Sequence, residues 1–180
     1  MSPARRRAAV CFLAFAFSLV GCGGTEGPAA TFPPTSIGPD RTVSPTVAQT
    51  RAELARVLGA RSLQFRDVQT PVRPPEAAML ATAPRAVHQV ILPQDPDRGF
   101  IVVYEFRDAA QASEAAAEEQ RYLASGPGRV QAPEGTVHVL RQLGPTLVMY
   151  SWLPGAAQDP SAPEIQAALE ELGTAFPIAP

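Results

Sequence analysis

Two stretches of this chain are apolar on both of their faces, and that limits its fold more than any other feature. In Phe100 to Phe106 (FIVVYEF), alternation sends Phe100, Val102, Tyr104 and Phe106 one way and Ile101, Val103 and Glu105 the other. In Thr146 to Leu153 (TLVMYSWL), Val148, Tyr150 and Trp152 point one way and Leu147 and Met149 the other. An antiparallel strand with one wet face alternates apolar with polar residues. Two strands apolar on both sides therefore belong at the centre of a sheet that is covered above and below. Each follows another strand-like run across a turn. Ala86 to Leu92 (AVHQVIL) precedes the first across Pro93 to Gly99, and Thr136 to Leu143 precedes the second across Gly144-Pro145, which reads as two hairpins.

Helical signals fill the gaps. Ser44 as N-cap and Pro45 at the first helical position open a helix whose Val47, Leu54, Val57 and Leu58 share a face, with Gly59 as its stop. Leu63 and Phe65 alternate with polar residues as a short strand, and Pro74-Pro75 opens a short helix through Glu76, Met79 and Leu80 that must end before Pro84. Asp108 and Gln111 form a capping box for an alanine-rich helix that stops at Gly126, with Glu118-Glu119 on its solvated face. Ser161 and Glu164 form a second box, ahead of Ile165, Ala168, Leu169 and Leu172 and a stop at Gly173.

The expected fold is α+β: one antiparallel four-stranded sheet from two hairpins, in the order β-β-α-β-β-α, preceded by one or two short helices. The helices after Asp108 and over 165–172 are expected on one face, and those over 45–58 and 75–82 on the other. A functional alternative leaves Tyr104, Phe106, Tyr150 and Trp152 as an aromatic stripe lining a cleft for a small apolar ligand or a partner protein. The two hairpin halves are faintly alike, Ala86-Val87-His88 against Thr136-Val137-His138, which raises the question of a duplication.

The N-terminus reads as an address. Arg5, Arg6 and Arg7 are followed by Val10 to Val20 (VCFLAFAFSLV), an apolar run that is too short to span a bilayer but has the length of a signal-peptide core. Leu19-Val20-Gly21-Cys22 then resembles the lipobox of bacterial lipoproteins. That resemblance implies removal of residues 1–21, a diacylglyceryl thioether on Cys22, and a protein held to the membrane on the extracytoplasmic side of the bacterial envelope. Residues 22–43, rich in Gly, Pro, Thr and Ala, read as a flexible tether, and residues 44–180 as one globular domain. Loss of the leader leaves 12 Arg against 17 Asp and Glu, a formal charge of −5, with no lysine and no free thiol. Such a domain is no nucleic-acid binder, because that role needs a basic surface to displace counterions.

Chemical motifs are sparse. His88 and His138 are the two histidines and the candidates for a metal, but no third ligand stands at motif spacing, so no metal and no cofactor is expected and both read as solvent-facing strand residues. Asp95-Pro96-Asp97-Arg98-Gly99 has two carboxylates but lacks the ligand count of a calcium loop, and a hairpin turn accounts for it. Gly126-Pro127-Gly128 has no following Lys and is no phosphate loop, and Ser151 lies inside a strand rather than in a nucleophile elbow. The leading functional expectation is a lipid-anchored, non-enzymatic binding or interaction module. The alternatives are an envelope hydrolase or metal-dependent enzyme using His88 and His138, and a purely structural envelope protein.

Overall fold

The structure, a computed structural model, describes residues 44–69 and 71–178. The leader, Cys22 and the tether lie outside the described residues. Helix α1 (Pro45–Ala60) leads into strand β1 (Phe65–Val68), the short helix α2 (Ala78–Thr82) and the hairpin β2 (Arg85–Val90) and β3 (Phe100–Glu105). Helix α3 (Ala109–Ala124) and the single turn α4 (Gly126–Arg129) connect to the second hairpin, β4 (Val137–Leu143) and β5 (Thr146–Trp152). Helix α5 (Ala162–Glu170) and β6 (Thr174–Ala175) close the chain.

The α+β class and both hairpins are as expected, but the antiparallel sheet has six strands in the order β1-β2-β3-β5-β4-β6, not four. The two additions are edge strands. β1 begins at Phe65, where the short strand was expected, and pairs β2 over four residues; β6 pairs β4 over two residues that are both exposed, so it carries no apolar alternation by which a strand is recognised. The doubly apolar strands β3 and β5 are central neighbours, as their composition requires.

Two apolar layers enclose them. On one face α1 and α5 pack Leu54, Leu58, Ile165 and Leu169 against Ile101, Val103, Val148 and Tyr150. On the other, α2 and α3 pack Leu80 and the small face of Ala112, Ala115 and Ala116 against Val102, Tyr104, Leu147 and Met149. The helices therefore pair differently from expectation: α3 goes with α2, and α5 with α1. The aromatic stripe also divides. Ile101 pairs with Tyr150 and Tyr104 with Leu147, and cross-strand partners share a face, so Tyr104 and Phe106 lie under α2 and α3 while Tyr150 and Trp152 lie on the α1/α5 side. Alternation within each strand was legible, whereas the parity between strands depends on which residues pair.

The same placement removes the suggested duplication. β3 and β5 are antiparallel neighbours, so the two-fold that exchanges them stands perpendicular to the sheet and keeps both following helices on one face. α3 and α5 occupy opposite faces.

Helix ends follow local chemistry with three corrections. Ser44 Oγ accepts the Val47 N–H at 3.1 Å, and Asp108 accepts the Gln111 N–H at 2.8 Å, as expected of N-caps. α1, however, runs through Gly59 to Ala60 and turns at Ser62, whose φ is 58°. Gly126 is not the glycine that matters after α3. A Cβ on Gly128 would stand 2.1 Å from the Tyr122 carbonyl oxygen, so that close approach requires glycine there. The second capping box does not form, since the Ser161 side chain caps nothing and its N–H is held by Asp159 at 2.9 Å.

Candidate functional site

A cleft of about 390 Å³ opens at the end of the sheet where β3 begins, β5 ends and β4 begins. Its floor is Phe100, Val102 and Met149, on the sheet face where Val102 and Met149 also pack with α2 and α3. Val72, Pro74 and Pro75 form one wall, Ala132 and Pro133 another, and Trp152 and Leu153 line the side toward α5. Of the four aromatic candidates, Tyr150 and Trp152 line this cleft. Tyr104 is fully buried, and Phe106 lines a separate, more open concavity beside Met79 and Pro145.

The turn between β2 and β3, the cleft's lower rim, is built as part of a two-loop clamp. The buried Asp95 carboxylate accepts the N–H groups of Gln158 and Asp159 at 2.6 and 2.9 Å, and Asp159 in return accepts the Gln94 N–H at 3.0 Å. Hydrogen bonds to backbone N–H groups hold the Asp159 carboxyl below the usual carboxylate range. Gln89 Nε2 donates to the Pro96 and Arg98 carbonyls at 2.6 and 3.1 Å, fixing the turn from the sheet side. Gly99 adopts φ +78°, with its Cα so close to the Val90 carbonyl that a Cβ would stand 2.8 Å from that oxygen. The acidic turn is thus a structural joint between distant loops rather than a self-contained hairpin turn, and Asp95 is committed to it. Among the described residues no group of three His, Cys, Asp or Glu side chains is arranged to hold a metal ion.

The cleft's polar feature is His138 with Ser151, paired across β4 and β5, with His138 Nδ1 and Ser151 Oγ 2.8 Å apart. Burial pushes the His138 pKa down, so the ring is neutral at pH 7. A neutral imidazole beside a hydroxyl offers a ligand one donor and one acceptor. It is not a hydrolytic triad, because among the described residues no carboxylate orients the ring.

His88 is elsewhere. It lies on the opposite face from His138, with β3 and β5 between their strands, and is 3% exposed rather than solvent-facing. Its Nδ1 meets Asp67 at 2.8 Å, its ring forms a T-shaped pair with Phe65, and Asp67 also holds Arg51 at 2.9 Å. Nε2 is buried without a partner, and desolvation pushes the pKa down. The two histidines cannot share a metal or a substrate.

Behind the Val72–Pro75 wall lies an acidic pair that attaches it to the body. Glu76 accepts the Tyr104 hydroxyl at 2.5 Å and pairs with Arg85, whose guanidinium stands 5.3 Å from the Tyr104 ring centroid. Burial and the Glu76 hydrogen bond both push the Tyr104 pKa up. Glu119 on α3 accepts the Ala77 N–H at 2.7 Å through Oε2, while Oε1 is buried with no partner. This corrects the expectation of a solvated Glu118-Glu119 face, since Glu119 is 0% exposed. Burial pushes its pKa up to about 7, the Ala77 N–H opposes that shift, and the Glu76 and Glu118 charges add to it.

No known family, no curated protein and no solved structure matches this chain, so the cleft's chemistry rests on its own residues.

Proposed function

We propose that this chain is a lipid-anchored extracytoplasmic binding module whose cleft takes a small, largely apolar ligand. The observation that carries the reading is the cleft itself: an apolar floor and walls, about 390 Å³, with the His138–Ser151 pair as a convergent polar feature. Ligand sites of small molecules have this size and makeup. The rim is fixed from several sides by Asp95, Asp159 and Gln89, a preorganisation that lowers the ordering cost of binding. The chain enters the domain away from the cleft, since Ser44 binds Glu105 at the far end of β3 from Phe100.

Anchoring is supported by the leader pattern ending at Cys22. Cys22→Ala is expected to shift the chain from the membrane fraction to the soluble fraction after cell lysis. Retention in the membrane fraction would contradict lipid attachment at this residue.

Trp152 is the one tryptophan of the chain and lines the cleft, so it reports on occupancy. With the full chain and the neutral probe N-phenyl-1-naphthylamine, saturable energy transfer from Trp152 is expected. Ala132→Phe, which places a ring in the cleft from a loop, is expected to weaken probe binding about tenfold or more, equivalent to about 1.4 kcal/mol. Binding that is absent, or that ignores this substitution, would overturn the cleft as the site.

A further inference from the structure

We infer that the cleft's ligand carries a carboxylate and that Arg73 binds it; this rests on the cleft being the binding site proposed above. Eleven arginines fall among the described residues, and Arg73 alone among them has no hydrogen bond or ion pair. Arg51, Arg61, Arg85 and Arg107 engage carboxylates, and Arg121 and Arg141 hold backbone carbonyls. Arg66 is held by Gln89, Arg56 by Glu53, and Arg129 is engaged as well.

Arg66, Arg121 and Arg141 also lack a carboxylate but are held by other acceptors, whereas Arg73 is held by none, and it lines the cleft. It sits on the wall segment directly before Pro74-Pro75, whose rings restrict the local backbone. The cleft's other guanidinium, Arg98, stands 3.8 Å from Asp95, whose own carboxylate is taken by two backbone N–H groups. Asp97 is the lining acid without such partners. It is exposed on the turn and is one of several solvated acids, with Glu114 and Glu134.

The arrangement is therefore an apolar chamber with a spare guanidinium at its rim. A guanidinium presents a planar fork of N–H donors that matches a carboxylate in two parallel hydrogen bonds. The chemical class that fits both parts is an amphipathic carboxylic acid, with its apolar body on Phe100, Val102 and Met149 and its head at Arg73.

The test uses the full chain, with decanoate and decanol each displacing N-phenyl-1-naphthylamine at pH 8, decanoate below its micellar concentration and decanol below its solubility limit. Decanoate is expected to displace the probe at a concentration about tenfold lower than decanol, the discrimination of one charge-assisted contact. Arg73→Gln is expected to abolish that preference and leave displacement by decanol unchanged. Equal displacement by the two in the unaltered chain, or a preference that survives Arg73→Gln, would overturn the inference while leaving the cleft as an apolar site. Stronger displacement by decyl phosphate than by decanoate would overturn the carboxylate in favour of a phosphate head. Failure of the probe itself to bind would remove the binding reading on which the inference rests.

Discussion

Replacing Asp95 with alanine is expected to destabilise the domain by about 3 kcal/mol. The carboxylate is 6% exposed and takes the backbone N–H groups of Gln158 and Asp159. A buried donor left unsatisfied costs roughly 1–3 kcal/mol, and here the Asp159 N–H is buried and the Gln158 N–H partly so. Asp95→Asn, which keeps an acceptor oxygen, is expected to lose less than half as much. Urea unfolding with an unchanged m-value is the measurement. A loss below about 1 kcal/mol for alanine would mean that solvent already satisfies these groups. Because Asp159 returns the contact through the Gln94 N–H, the double variant with Asp159→Ala is expected to cost less than the two single losses together.

The second large effect depends on pH. Glu119 has its folded pKa pushed up to about 7 from 4.5, so the folded chain holds this proton more tightly than the unfolded chain does. Its contribution to stability is fully present below the unfolded pKa and is lost as pH rises through about 7. The shift amounts to about 3 kcal/mol. His88 and His138 act in the opposite sense. Their folded pKa values lie below 6.5, so their contribution is present above that value and lost as pH falls through it. The unaltered domain is thus expected to be most stable at mildly acidic pH.

The Glu119 share is isolated by comparison with Glu119→Gln. Glutamine brings a fixed offset from its buried amide, which is independent of pH. The stability difference between Glu119→Gln and the unaltered chain is expected to move by about 3 kcal/mol in favour of glutamine between pH 4.5 and pH 8. A difference that stays flat over that range would contradict a carboxyl buried with one unpartnered oxygen. Glu76, Glu118, Tyr104 and Arg85 are the neighbouring ionisable groups, and all remain in both proteins.

Much of this fold is legible in the sequence, and the gaps have physical causes. Central strands with two covers followed from β3 and β5 being apolar on both sides. The assignment of helices to faces did not, because it turns on the pairing of Ile101 with Tyr150, which no local signal encodes. Glu119 was legible in principle. Ala112, Ala115, Ala116 and Leu123 define the buried face of α3, and Glu119 falls on it at helical spacing while its neighbour Glu118 does not.

The His138–Ser151 pair was legible too. A two-residue turn at Gly144-Pro145 pairs Leu143 with Thr146 and, counting back, His138 with Ser151. Arg73 carried no signal, since its standing comes from what surrounds every other arginine. The Asp95–Asp159 clamp joins residues 64 apart in sequence, a contact only the folded chain displays.

The most direct test of the cleft as the binding site uses the chain's methionines. Met149 lies on the cleft floor, whereas Met79 lies in the separate concavity beside Phe106, so ¹³C-methyl labelling of methionine reports on both places at once. On titration with N-phenyl-1-naphthylamine, the Met149 methyl resonance is expected to shift saturably while that of Met79 stays in place. Movement of Met79 with Met149 unmoved, or a probe that binds without moving either, would contradict the account.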